Sequence, residues 1–221
     1  MPSPVPTSAA QILQVLGAVL LLTVFWMLAA RRLHDYLTAY ATQSVTVALI
    51  AAVVGTFTGS VDLYVVAVLT VLVKAVAIVG ILHVVAGRLP GQRPRSVLNM
   101  PTSLLIGVAL VILAFLTSPA VVAPGTFLNE PPLAVSLSLV LIGLFLMSSR
   151  RHMLSQIIGL LTIENGLFSG AVAIAYGMPL IVEFGILFDV LVAVIVLGLL
   201  VTLIQRNIVS ADTAELRELR G

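Results

Sequence analysis

Four ionisable side chains of this chain lie inside long apolar segments rather than at the ends of those segments. They are Lys74, Glu164, Glu183 and Asp189, each in a segment with many Leu, Ile and Val residues. A charge at the centre of a bilayer costs about 2.5–3.5 kcal/mol on insertion scales, so such residues usually serve a function or form a pair. A low-dielectric environment also shifts the pKa of acids and lysines, which lets them exchange protons near neutral pH. We therefore consider the four residues candidates for a proton relay.

Distance from the start of each apolar segment separates these candidates by depth. Glu164 is eleven residues into its segment and Lys74 is thirteen residues into its own. At about 1.5 Å per helical residue, both lie near the middle of a bilayer. Asp189 is expected slightly to the outer side of the centre, and Glu183 near the outer interface. Glu164 is thus the strongest candidate for the central protonatable group.

Two more observations limit the chemistry. His83 follows Lys74 by nine residues, close to the cytoplasmic end of the same segment, and is either a further relay residue or an interfacial histidine. The chain has no cysteine, which excludes thiolate catalysis and cysteine-bound metal centres. The three histidines show no metal-ligand spacing. We expect neither a cofactor nor a metal, and no catalytic residue for redox chemistry.

The composition requires lipid as the main solvent of the chain. Of its 221 residues, 60% are hydrophobic and 9% are charged, and the mean hydropathy is +1.20. Soluble proteins contain about 25% charged residues. A helix needs about 20 apolar residues to cross a bilayer, and seven segments qualify. They run approximately over residues 10–30, 38–59, 61–87, 99–119, 131–147, 153–176 and 179–205. The sequence predicts an all-α, polytopic transmembrane bundle.

The basic residues predict the orientation of this bundle. Ten of the eleven Lys and Arg residues lie in the loops after the first, third and fifth helices or in the C-terminal tail. The N-terminus and the other loops carry none, and only Lys74 remains inside a helix. By the positive-inside rule, the N-terminus lies outside and the C-terminus in the cytoplasm. A count of seven helices places the loops with basic residues and the C-terminal tail on one side of the membrane, and the loops without them on the other.

We interpret the chain as a single transmembrane domain over residues 1–221. Residues 1–152 hold the first four to five helices, and residues 206–221 form a short cytoplasmic tail that ends in mixed charge. Since the basic residues are few and follow the membrane boundaries, they give no reason to expect nucleic-acid binding. Membrane lipid is the expected partner of the apolar surface.

Three stretches carry a family resemblance. Residues 161–168 read LTIENGLF, residues 177–193 read GMPLIVEFGILFDVLVA, and residues 70–74 read TVLVK. Together with the length and helix count, they make the chain resemble component E of the hydrogenase-4 (formate hydrogenlyase) family. The last three helices, residues 131–205, are more distantly similar to the K subunit of respiratory complex I and to the C subunit of multisubunit cation/proton antiporters.

The resemblance implies a membrane-arm subunit of a proton-translocating oxidoreductase in a bacterial or archaeal inner membrane. Such a subunit lies between a peripheral [NiFe]-hydrogenase-like redox module on the cytoplasmic side and antiporter-like proton-pumping subunits. Glu164 matches the intramembrane glutamate of the second K-type helix. Asp189 or Glu183 stands in for the acid of the third.

Two other functions remain open from the sequence. The chain is alternatively a subunit of a cation/proton antiporter without redox chemistry, which uses similar membrane subunits. It is alternatively a structural scaffold in which Lys74 forms a static ion pair with one of the acids. Co-purification of an iron–sulfur or nickel protein would favour the oxidoreductase over the antiporter.

Overall fold

A computed structural model describes residues 7–87, 98–121 and 130–174 of the chain. Helices account for nearly all of these residues, and no β-strand occurs within the three ranges. The elements are α1 (Thr7–Ala29), α2 (Leu33–Thr58), α3 (Val61–Thr70), a π-helical segment (Val71–Ile78), α4 (Val79–Gly87), α5 (Met100–Val121), α6 (Glu130–Ser149) and α7 (Met153–Ile174). The predicted all-α architecture is confirmed.

Within the described ranges, five stretches are long and apolar enough to cross a membrane. They cover Ala9–Ala29, Leu33–Thr58, Val61–Val84, Met100–Pro119 and Pro131–Ser149, and so match the first five predicted segments. The sixth prediction is found as α7, whose 22 residues include Gln156, Glu164 and Asn165, polar residues that lower its hydropathy. The chain is a multi-pass membrane protein. The seventh segment, with Glu183 and Asp189, lies outside the described residues, and the orientation of the termini stays a prediction.

The second helix begins earlier than its hydropathy indicated. We predicted a start near residue 38, whereas α2 begins at Leu33. The first turn contains His34 and Asp35, which are too polar for an apolar window but compatible with a helix that extends into the interface. At its other end Gly59 adopts a left-handed conformation with φ 65°, which glycine tolerates without strain. This turn leads directly into α3.

The third membrane segment is interrupted by a π-helix. Residues Val71–Ile78 form wider turns than the flanking α3 and α4, and the backbone angles stay helical at Thr70 and Val79 on either side. Lys74 lies on this segment. π-Helical turns are rare and occur frequently at functional sites. The sequence had predicted one continuous α-helix here, so the interruption is a feature that only the structure reveals.

Glycines bring α6 and α7 into close contact. A methyl group added at Gly159 would lie 3.0 Å from the carbonyl oxygen of Gly143, and one at Gly166 would lie 3.0 Å from that of Ser136. The hydroxyl of Ser136 also donates to the carbonyl oxygen of Gly166 at 2.7 Å. Small residues allow such close helix packing in membranes. With this face of α7 turned to α6, Glu164 projects towards the π-helical segment.

Candidate functional site

Lys74 and Glu164 form a buried ion pair. The ammonium nitrogen Nζ of Lys74 lies 3.0 Å from Oε1 of Glu164, and the two side chains are only 1% and 3% exposed. The sequence placed both residues at similar depth, and the structure brings them into direct contact. An acid and an amine at this distance can share a proton without a bridging group.

Three helical elements position the pair. Lys74 comes from the π-helical segment and Glu164 from α7, while α2 packs against both. Ala48 and Ala51 of α2 contact Ala67 of α3 in a small apolar cluster, and Phe168 of α7 packs against it. Because alanine side chains are short, these helices approach closely enough for Lys74 to reach α7.

An aromatic ring forms another wall of the site. Lys74 Nζ lies 5.8 Å from the ring centroid of Phe168. A cation over an aromatic face gains about 0.5–2 kcal/mol, with the larger values in desolvated surroundings. Phe168 follows Glu164 by four residues and therefore lies on the same face of α7. The ring shields the ion pair and stabilises the positive charge of Lys74.

Amide and hydroxyl groups continue from the ion pair towards α2 and α1. Lys74 Nζ donates to Oδ1 of Asn165 at 3.2 Å. Nδ2 of Asn165 donates to Oε1 of Gln43 at 3.1 Å and to the hydroxyl of Ser44 at 3.3 Å. Nε2 of Gln43 donates to the Thr23 hydroxyl at 3.3 Å. Each of these residues is at least 98% buried.

Sequence reasoning did not identify these amide and hydroxyl partners. Gln43 and Ser44 occur in a helix that also contains five Thr residues, so neither stands out as a polar residue. Asn165 belongs to the stretch LTIENGLF, where it contributed to the family resemblance but was not a candidate site residue. A neutral polar residue in a membrane helix costs less free energy than a charged one, so its presence alone does not indicate a functional site. Their role is apparent only from the contacts between helices.

His83 lies beside another histidine instead of next to the ion pair. The rings of His34 and His83 are 5.8 Å apart in an edge-to-face arrangement, where α2 begins and α4 nears its end. Nine residues separate His83 from Lys74, which corresponds to roughly 13 Å along a helix. Over the described ranges, no group of three or more potential metal ligands is present. Whether His83 participates in a relay stays a prediction.

Arg150 is buried although it lies between α6 and α7, outside both helices. Its side chain is 5% exposed, and its Nη2 donates to the carbonyl oxygen of Leu28 at 2.9 Å. The guanidinium carbon lies 5.7 Å from the ring centroid of Tyr36. Leu28 belongs to the last turn of α1, whose carbonyl groups lack helical partners. Arg150 therefore connects the end of α6 to the end of α1.

Comparison with known proteins supports the resemblance noted in the sequence. Residues 131–221 match the family model of NADH-ubiquinone/plastoquinone oxidoreductase chain 4L. Hydrogenase-4 component E of Escherichia coli K12 is 29% identical over 216 residues, which cover 97% of this chain and 100% of that protein. The hydrogenase-4 component E of Shigella flexneri has the same identity and coverage.

A second relative is more similar over a shorter stretch. An uncharacterized protein of Mycobacterium tuberculosis is 44% identical over 124 residues, which cover 55% of this chain and 56% of that protein. No solved structure matches the chain. The chain is thus similar to hydrogenase-4 component E over nearly its full length, and its C-terminal part matches the NADH-ubiquinone/plastoquinone oxidoreductase chain 4L family.

Proposed function

We propose that the chain is a membrane subunit of a proton-translocating oxidoreductase complex of the hydrogenase-4 or complex I-like kind. Its similarity to hydrogenase-4 component E and to the chain 4L family supports this assignment. The observation that carries the proposed mechanism is the buried contact between Lys74 and Glu164. In this mechanism Glu164 is the central protonatable group of a path through the subunit, and Lys74 is its immediate partner.

The ion pair has the chemistry that such a path requires. Transfer of a proton from the ammonium of Lys74 to the carboxylate of Glu164 converts two charges into two neutral groups. Neutral groups are cheaper to keep in a low-dielectric interior than separated charges, so the two states are closer in free energy than in water. A proton can therefore be held at Glu164 or at Lys74 and released when the surroundings change.

The rest of the route is proposed from the sequence. Asp189 and Glu183 are the acids of the following segment and would receive or supply the proton of Glu164 on the outer side. His83, exposed near the end of α4, would connect the pair to the cytoplasmic side. Chains of ionisable groups linked by water are the usual construction of such paths.

The chain contributes proton-path residues to the complex and leaves electron transfer to other subunits. We propose antiporter-like subunits as its neighbours in the membrane and a peripheral redox module as its neighbour on the cytoplasmic side. The proposed location is the inner membrane of a bacterial or archaeal cell. Mass spectrometry of the gently solubilised complex would identify these neighbours directly.

Replacement of Glu164 by Gln tests the proposed mechanism. The amide keeps the size of the side chain but has no proton to exchange, so proton translocation should stop while the complex assembles and redox turnover continues. Asp62→Asn is the matched control, because this acid is exposed in the first turn of α3. Normal proton translocation by the Glu164→Gln complex would contradict the mechanism.

The same ion pair also supports a second function, that of a structural contact that holds the helices together without exchanging a proton. Replacing a buried ion pair by apolar residues of similar size is often tolerated, whereas removal of one partner leaves a costly unpaired charge. The double variant Lys74→Met, Glu164→Leu separates the two functions. A purely structural ion pair predicts normal proton translocation in the double variant. A protonatable site predicts an assembled complex without proton translocation.

A further inference from the structure

The polar network beside the ion pair has a fixed direction. An ammonium group only donates hydrogen bonds, so the atom of Asn165 that faces Lys74 must be the acceptor Oδ1. The Nδ2 group of Asn165 then points to α2, where it donates to Oε1 of Gln43. This orientation in turn leaves Nε2 of Gln43 to donate to Thr23. The charge of Lys74 thereby sets the orientation of two amide groups.

This chain of hydrogen bonds ends on the backbone. The hydroxyl of Thr23 donates to the carbonyl oxygen of Leu20 at 2.6 Å, inside α1. A backbone carbonyl only accepts, and the side-chain amides between it and Lys74 neither take up nor lose a proton at ordinary pH. The branch through Asn165 and Gln43 therefore does not conduct protons towards α1.

Two of the contacts of Lys74, those with Glu164 and Asn165, respond differently to proton transfer. The contact with Glu164 depends on opposite charges and weakens when the proton moves to the carboxylate. The contact with Asn165 needs only an N–H donor, which a neutral amine still provides. Both hydrogens of Asn165 Nδ2 are occupied, by Gln43 and Ser44, so the amide cannot rotate without loss of two hydrogen bonds.

From this geometry we propose that Asn165, held by Gln43, is a positioning residue that keeps the Lys74 amine beside Glu164 in both protonation states. The amide pair holds the lysine in place while carrying no proton itself. This inference rests on the proposed function, since it assigns a role relative to the Lys74–Glu164 proton site. It adds that the proton exchanged by Glu164 does not pass through α1 or the Gln43 side of α2.

The test compares proton translocation by the assembled complex in four variants. Asn165→Leu removes the contact with Lys74, and we expect proton translocation to fall by about tenfold, as for the loss of a buried hydrogen bond to a charged group. Gln43→Leu leaves Asn165 its contacts with Lys74 and Ser44, so a smaller loss of about two- to fivefold is expected. Glu164→Gln gives the zero level. Thr162→Val is the control, since Thr162 is buried on α7 but bonds to Ile158 and Met27.

Three outcomes would overturn the inference. Proton translocation at the normal rate in Asn165→Leu would show that Asn165 is not needed to position the Lys74 amine. Complete loss in Gln43→Leu, at normal assembly, would show that the amide branch conducts. A purely structural role would reduce assembly in Asn165→Leu and Thr162→Val alike, without a change in the number of protons moved per electron. Normal pumping by Glu164→Gln would instead contradict the proposed function, so the two failures are distinguishable.

Discussion

A buried lysine and a buried glutamate each lose several kcal/mol of hydration, which their attraction offsets only in good geometry. Lys74 and Glu164 meet this condition at 3.0 Å, with Asn165 and Phe168 as further partners of the lysine. The sequence identified both charged residues, because each interrupts an apolar run. It could not identify the pair, since it left open which of the acids Lys74 contacts. Contacts between distant segments depend on helix rotation, which periodicity does not determine.

Arg150 and Arg151 are neighbours in the sequence, but the first is buried and the second exposed, so their replacement should affect stability differently. Arg150→Ala removes the hydrogen bond to Leu28 and leaves a cavity beside Tyr36, so the complex should lose about 2 kcal/mol of stability. Arg151 is exposed, and Arg151→Ala should change stability by less than about 0.5 kcal/mol. Thermal unfolding in detergent measures both. Equal melting temperatures for the two variants would show that the buried guanidinium contributes nothing to folding.

At the scale of helices, hydropathy was sufficient to locate the described elements. The predicted third segment, residues 61–87, coincides with the stretch from α3 through α4. Its π-helical turn was not predictable, because Val71–Ile78 contains neither proline nor glycine and reads as ordinary membrane helix. Lys74 lies within this π-helical segment. The backbone conformation at Lys74 could therefore not be predicted from residue types alone.

The close contact of α6 and α7 predicts a large difference between two glycine substitutions. In Gly143→Ala the new methyl group would lie 2.7 Å from Ile163 Cγ1 and 2.9 Å from the carbonyl oxygen of Gly159, so the helices must separate. Such overpacking costs about 1–3 kcal/mol. Gly80→Ala is the control, because no atom lies within 4 Å of the added methyl.

We expect Gly143→Ala to lower the melting temperature and to reduce proton translocation, since α7 carries Glu164. Gly80→Ala should leave the melting temperature unchanged or raise it, because alanine favours a helix by up to about 1 kcal/mol over glycine. Equal effects of the two substitutions would contradict the glycine-mediated contact.

At the scale of the whole molecule, the orientation in the membrane follows from the basic loops and is testable by labelling. The chain has no cysteine, so single cysteines can be introduced without a background. Ser60→Cys, between α2 and α3, should react with a membrane-impermeant thiol reagent added outside intact cells. Arg151→Cys, between α6 and α7, should react only after permeabilisation. The reverse pattern would contradict the proposed topology.

In the proposed mechanism Glu164 changes its protonation during turnover, and infrared difference spectroscopy of the working complex measures this directly. A carboxylic acid that gains or loses its proton produces a change in its carbonyl stretching band, which an amide does not share. We expect a carboxyl band in the reduced-minus-oxidised spectrum of the native complex, and its disappearance in Glu164→Gln. Identical spectra from the native and Glu164→Gln complexes, at equal redox turnover, would contradict the mechanism.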